Sequence, residues 1–250
     1  MNYRNSKFSQ ARGQAPGQAK SQGNRRGLGG LTLLYEDSEI LVVNKPAGLL
    51  SIAAGSRQDR TVYWIVAEYL RKKGEKRRPA MVHRLDKETS GVMLLVKSAR
   101  DKKQFMENWN DMVIARRYVA LVEGALPAGE GCIDAPLGED RGGRVIVAPG
   151  GKPAVTRWKL RAAGTLRRGG RDPIIYSLLG LELETGRRNQ IRAHLAHIGH
   201  PVAGDLKYHA RSNPIDRLCL HAETIVFCHP GNGTVLTFDE PIKFTDLIIP

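Results

Sequence analysis

The chain has 250 residues, 41% hydrophobic and 26% charged, enough apolar material to core one large domain or two small ones. No apolar run approaches the roughly 20 residues that a membrane-spanning helix needs, so no membrane association is expected. Lys and Arg number 39 against 25 Asp and Glu, a net charge of +14, and such an excess points to a polyanionic partner.

Residues 1–30 hold six basic residues and no acidic one, with six glycines and almost no apolar side chain. Such a segment cannot bury enough surface to offset its ordering entropy, and it is expected to be a disordered basic tail. Mitochondrial targeting peptides share the acid-free, Arg-bearing composition, but the glycines spoil an amphipathic helix, and the apolar centre of a secretory signal is missing. Setting this tail aside leaves a body that is still +8. Three cysteines, Cys132, Cys219 and Cys228, have no framework spacing and suit free thiols in a reducing, cytoplasmic setting.

Order is expected from residue 31 onward. "TLLYED" and "EILVVNKPAG" read as two strands about an Asp-Ser turn, closed by a Pro-Ala-Gly loop. "TVYWIVAEYLRKK" puts Val62, Ile65, Val66, Tyr69 and Leu70 on one helical face. "GVMLLVK" is a buried strand, "DKKQFMENW" a short helix and "ARRYVALVEG" a strand. The glycine-rich middle, 138–160, reads as a hairpin, and "YSLLGLELETG" as a long strand ending at Thr185-Gly186. "RRNQIRAHLAHIG" is a helix with Ile191, His194, Leu195 and Ile198 on one face, followed by strands in "RLCLHAETIVFCHP" and "TVLTF". Successive strands with interspersed helices predict an α+β fold on a mixed, mostly antiparallel sheet.

Several familiar sites are excluded. "GGK" at 150–152 lacks the P-loop's first glycine and carries Pro153 where Ser or Thr must stand. "GLGG" follows no strand and lacks the third glycine of a dinucleotide fingerprint. Cys219, His221, Cys228 and His229 have no common zinc spacing and alternate along strands. No recognition helix or dimer motif supports a DNA-binding regulator.

Polar residues remain where packing does not ask for them. Asp86, in "HRLDKETSG", reads either as a turn residue bonding its own backbone or as a reactive carboxylate at the threshold of a core strand. A nearby arginine would keep it ionised and aimed. Arg192 is the candidate partner, its alternative being a solvated helix face. Arg187 and Arg188 follow a glycine turn at a helix start and suit phosphates. Tyr118 reads as strand core or as a ring for stacking an extruded base.

"HRLDKETSGVMLLVKS" resembles the hallmark segment of the RluA-type pseudouridine synthases, H-R-L-D-x-x-T-S-G before an apolar strand. "VVNKPAGLL", "RRYVALVEG", "GKPAVT", "ETGRRNQIRAHLAHIGHPVAGDLKY" and "RLCLHA" are similar to further family segments, in the same order. The resemblance implies the pseudouridine synthase fold, with flanking helices and a central RNA-binding cleft across residues 31–250. It also implies isomerisation of uridine in structured RNA, a ribosomal (large-subunit) or transfer RNA stem-loop, by a monomer without cofactor or metal. By the same resemblance Asp86 is the essential aspartate, Tyr118 packs on the target base and aids removal of its C5 proton, and Arg192 pairs with the aspartate. Arg84 enters the space left by the flipped nucleotide, Leu220 lines the base pocket, and Lys45, Arg187, Arg188 and Asn189 are expected among the RNA-contacting residues. Two departures stand out. Asn189 occupies a position where many relatives have His, and Ser51-Ile52-Ala53-Ala54 departs from the usual continuation after the Pro-x-Gly loop. Many relatives also carry a small N-terminal RNA-binding domain, where this chain has the basic tail, expected to add salt-sensitive affinity. A non-catalytic RNA-binding or ribosome-assembly protein of the same fold is the alternative. Retention of Asp86, Tyr118 and Arg192 together speaks for the enzyme.

Overall fold

The computed structural model describes residues 26–53, 60–166 and 174–249, so residues 1–25 of the expected tail lie outside it. In chain order the strands are β1 (Arg26–Leu28), β2 (Leu31–Glu36), β3 (Ile40–Lys45), β4 (Ala80–Met81), β5 (Ser90–Val96), β6 (Val113–Glu123) and β7 (Glu130–Asp134). They continue as β8 (Leu137–Glu139), β9 (Val145–Val147), β10 (Val155–Leu166), β11 (Ile175–Leu183), β12 (Leu220–Cys228), β13 (Val235–Asp239) and β14 (Ile248–Ile249). The helices are α1 (Val62–Lys72), α2 (Ala99–Glu107), α3 (Trp109–Met112) and α4 (Gln190–His197).

Among the described residues one large sheet runs β1-β2-β3-β5-β12-β6-β11-β10-β14, with β13 beside β12, β4 beside β5 and β7 beside β10. Every pairing is antiparallel except β5 with β12. The β8–β9 hairpin stands apart as its own small sheet. The expected mixed, mostly antiparallel α+β architecture is what the chain forms.

The sheet is covered on both faces, which explains why its central strands read as unbroken apolar runs rather than alternating ones. Along β3, Leu41 and Val43 join one core cluster while Ile40 and Val42 join the other. Along β5, Met93 and Leu95 face the first cluster and Val92, Leu94 and Val96 the second. Helix α1 closes the first face with Val62, Ile65, Val66 and Leu70, its N-cap Thr61 accepting from the Trp64 amide. Phe105 of α2 closes the second.

The parallel contact at mid-sheet explains the Ser-Gly pair that begins the apolar run. Gly91 lies opposite Ala222 with φ +119°, and a Cβ there would come within 2.1 Å of the Ala222 carbonyl oxygen. Only glycine fits that approach. Ser90 Oγ accepts from Arg217 Nη2 at 2.6 Å and donates to His221 Nδ1 at 2.7 Å. The His221 Nε2–H in turn faces the Glu240 carbonyl at 2.6 Å. This chain of bonds fixes the imidazole tautomer, and burial holds His221 below its ordinary pKa.

Two expectations need correction. Order begins before residue 31: Arg26–Leu28 pairs antiparallel with β2, Arg26 opposite Leu33 and Leu28 opposite Leu31, across the Gly29-Gly30 turn. Composition hid this strand because only Leu28 in it is apolar. The second is α4, shorter than its apolar period suggests. Arg187, Arg188 and Asn189 form the turn before it, and Ile198 caps its end half-exposed rather than extending the buried stripe.

Candidate active site

The segment bearing Asp86 is a loop, 82–89, held from below before it enters β5. Lys45, at the end of β3, is 0% exposed, and its ammonium donates to the carbonyls of Pro46 (3.0 Å), Leu49 (2.7 Å) and Lys87 (2.9 Å). Gly48 N donates to the same Lys87 carbonyl at 2.9 Å. Ser51 Oγ donates to the Leu85 carbonyl at 2.6 Å and accepts from Leu85 N at 3.2 Å. His83 Nε2 accepts the Leu94 amide at 2.9 Å, and burial pushes its pKa down to about 3, with Arg116 adding to the effect. The "NKPAGLLS" stretch is thus the cradle of the Asp86 loop, a use for Ser51 that its departure from the family pattern did not suggest.

Lys45 is therefore not on an RNA-facing surface, contrary to expectation. A lysine that ends a strand, after four apolar residues and Asn44, looks like a snorkelling surface cation. Instead the chain reversal at Pro46–Leu49 turns its carbonyls inward, and a buried ammonium satisfies them.

Asp86 is a quarter exposed at the side chain. Its Oδ2 accepts from Asn189 Nδ2 at 2.6 Å and from Arg192 Nη1 at 3.3 Å. Asn189, expected at the RNA, thus contacts the carboxylate itself. Arg192 is no solvated helix residue: only 8% exposed, it donates Nε and Nη2 to Asp205 Oδ2 and Oδ1 at 2.6 and 2.8 Å. Its guanidinium lies over the Tyr208 ring, 5.2 Å from the centroid, and Tyr208 Oη donates to the Val145 carbonyl at 2.9 Å. Burial alone would lower the Arg192 pKa, but the Asp205 and Asp86 carboxylates outweigh it and hold it above the ordinary value. Asp205 is itself 1% exposed. Gly204 beside it has φ +81°, and a Cβ there would meet the Arg217 carbonyl at 2.2 Å.

Helix α4 is anchored by a directional chain. Gln190 Nε2 donates to Thr156 Oγ1 (3.0 Å), Thr156 to His194 Nδ1 (2.9 Å), and His194 Nε2 to the Ala135 carbonyl (3.0 Å). Gln190 Oε1 accepts from Thr185 Oγ1 at 2.8 Å and Arg187 N at 3.0 Å, tying the preceding turn to the helix. The polar residues buried in this helix aim Arg192 and Asn189 at Asp86.

Tyr118 lies on β6 opposite Leu181 of β11 and Ala222 of β12. Leu220 pairs with Ala120 on the same sheet face, diagonal to Tyr118, in the same apolar cluster. The Tyr118 hydroxyl makes no hydrogen bond among the described residues. Its pKa is raised by burial, with Arg116 pulling it down and Asp86 pushing it further up, so the phenol stays protonated near neutral pH. Half-buried Arg116 sits 5.4 Å from the Trp109 ring centroid, and burial lowers its pKa. Arg84 is exposed at the loop surface. Arg187 donates Nε to the Pro153 carbonyl at 3.1 Å, and Arg188 pairs with Glu139 at 3.0 Å and donates to the Gly143 carbonyl at 2.7 Å.

Asp205, Tyr208 and Arg116 escaped the residue-level reading. The signal for Asp205 was indirect: if Arg192 is buried it needs a buried carboxylate, and "GDLKY" supplies one 13 residues on. Elsewhere, Asp37, Glu39 and His229 bring potential ligand atoms within 4.8 Å of one another. There His229 Nδ1 accepts from Gly231 N (3.2 Å) and Nε2 donates to Asp37 Oδ2 (2.9 Å), so both ring nitrogens are engaged in joining two turns.

Residues 39–197 match the family model described as RNA pseudouridylate synthase. The chain is 36% identical over 215 residues to an "Uncharacterized RNA pseudouridine synthase YhcT" of Bacillus subtilis (strain 168), covering 85% of this chain and 69% of the relative. It is 33% identical over 228 residues to "Ribosomal large subunit pseudouridine synthase D" of Escherichia coli (strain K12), covering 85% and 67%. Among solved structures, "Human RNA Pseudouridylate Synthase Domain Containing 1" superposes with a TM-score of 0.70 at 23% identity, over 88% of this chain and 86% of that one, a likeness of fold. The chain belongs to the RNA pseudouridylate synthase family, in its RluA-type branch, and is an isomerase of RNA uridine.

Proposed function

We propose that the chain converts uridine to pseudouridine in a stem-loop of structured RNA, with large-subunit ribosomal RNA the first substrate to test and transfer RNA the second. Several relatives bear names of large-subunit ribosomal enzymes. The observation that carries the mechanistic reading is the oriented carboxylate: Asp86 open to solvent on one side and held on the other by a buried arginine that is itself locked.

The reaction breaks the bond from C1′ to N1, turns the uracil, and joins C5 to C1′. The C5 proton leaves and N1 regains one, so product and substrate are isomers. A uridine within a duplex cannot undergo this and must be extruded. Tyr118 offers the extruded base a ring face beside Leu220. Its hydroxyl, which makes no hydrogen bond among the described residues, is the group we read as helping the C5 proton leave to solvent. Asp86 acts at the sugar, and either attack on C1′ or removal of a sugar proton needs the ionised carboxylate with a free oxygen. Arg84, Arg187 and Arg188, all exposed, are the cations we read as meeting phosphates of the RNA.

The test is tritium release from RNA labelled at uracil C5, using total RNA from cells lacking the protein. The native enzyme should release tritium and Asp86→Asn should be slowed at least ~100-fold. Fractionated large-subunit and transfer RNA then identify the substrate. Equal release by both proteins refutes the assignment of Asp86. Binding without release by the native protein favours an assembly role.

A further inference from the structure

We propose that Asn189 is a positioning residue which, with Arg192, occupies Oδ2 of Asp86 and so leaves Oδ1 as the oxygen that meets the substrate. The inference rests on the reading of Asp86 as the reacting carboxylate. Both donors converge on the same oxygen, at 2.6 and 3.3 Å. Among the described residues Oδ1 accepts no hydrogen bond, while a quarter of the side chain is open to solvent. The amide orientation is dictated by chemistry, since only Nδ2 can donate to a carboxylate.

The backbone also singles this residue out. Asn189 has φ 51° and ψ 22°, the left-handed region that Asn tolerates best after Gly. It stands at the N-cap of α4, where an Asn side chain ordinarily accepts from the first helical amides. Here it makes no capping bond, and the amide turns to Asp86 instead. The Asn189 carbonyl, meanwhile, accepts the Ala193 amide at 2.9 Å, which fixes the residue to the helix. The donor is neutral, so it orients the carboxylate without titrating anywhere near neutral pH. Two donors on one oxygen also stop the carboxylate from rotating and exchanging its oxygens.

Asn189→Gly keeps the left-handed backbone and removes the amide; Asn189→Asp puts a second carboxylate on Oδ2. Under single-turnover conditions Asn189→Gly should lower the rate about 10-fold or more, the worth of a hydrogen bond to a charged group, with RNA Kd changed less than about twofold. Two carboxylates this close share a proton. Asn189→Asp should therefore be slow at neutral pH and recover as pH falls and the new side chain becomes a donor, a limb the native profile lacks.

An unchanged rate in Asn189→Gly overturns the proposal, as does a loss confined to Kd, which would restore an RNA-contact role. If Asn189→Gly fails to fold, the pH profile of Asn189→Asp still decides, and a profile parallel to the native one overturns the proposal. Asp86→Asn, run alongside, separates the two claims. Should it stay active, the reading of Asp86 fails; should it be inactive while both Asn189 variants match the native enzyme, only the present inference fails.

Discussion

Removing the Asp205 carboxylate should unsettle the fold and the site together. Asp205 is 1% exposed and Arg192 8%, so water screens neither charge. Two bonds of 2.6 and 2.8 Å join them, whereas the remaining contact from Arg192 to Asp86 is 3.3 Å. Deleting one partner of a buried pair leaves the other charge uncompensated, at a cost of about 3–5 kcal/mol. Asp205→Ala should therefore lose about 4 kcal/mol, a fall in Tm of roughly 8–16 °C for a chain of this size. Asp205→Asn keeps the shape and one acceptor and should lose less. Urea unfolding monitored by circular dichroism, with an unchanged m-value, measures the loss. Below the transition of each variant, the tritium assay should show a reduced turnover rate at little-changed RNA affinity, because Arg192 no longer has a fixed point from which to hold Asp86. A stability change under about 1 kcal/mol for Asp205→Ala, the behaviour of a surface substitution, would refute the claim that this pair anchors the site.

Lys45→Met should leave the salt slope of RNA binding unchanged, because the ammonium meets carbonyls and not phosphates. Burial pushes Lys45 down to about 8 from 10.5; across that window the unfolded chain binds the extra proton, so the native protein's stability relative to Lys45→Met should grow as pH rises. Gly91→Ala adds a methyl 2.1 Å from the Ala222 carbonyl at φ +119°, and should separate β5 from β12 and abolish cooperative unfolding. Burial alone would raise the Glu36 pKa, but bonds from Lys73, Lys97 and Tyr69 outweigh it and hold it at about 2. Its stabilisation is complete above pH ~4.5 and lost as pH falls through about 2. The difference in unfolding free energy between native protein and Glu36→Gln should close across that interval.

Much of the fold was legible because the chain's apolar periods are strong: β2, β3, β5, β6, β11 and α1 lie where alternation, apolar runs or helical spacing put them. The strand β1 was not legible, since its stability comes from pairing with β2 and not from its own side chains. At the site, Asp86, Arg192 and Tyr118 could be nominated from sequence, but the direction of each side chain could not. Lys45 and Arg192 show the reason. The sequence reading puts Lys45 among the RNA-contacting residues and leaves Arg192 between a partner of Asp86 and a solvated helix residue, since a buried charge costs several kcal/mol unless paired. Their pairing comes from tertiary structure: two carbonyls of a chain reversal and one of the Asp86 loop for Lys45, Asp205 beyond the end of α4 for Arg192. Asn189 is the same case with a neutral group. Its residue type permits the left-handed turn, but only the approach of the 82–89 loop makes its amide a ligand of Asp86. A site assembled from three chain segments, separated by 103 residues in the Asn189–Asp86 contact alone, carries its residue types in the sequence and its geometry in the packing that joins them.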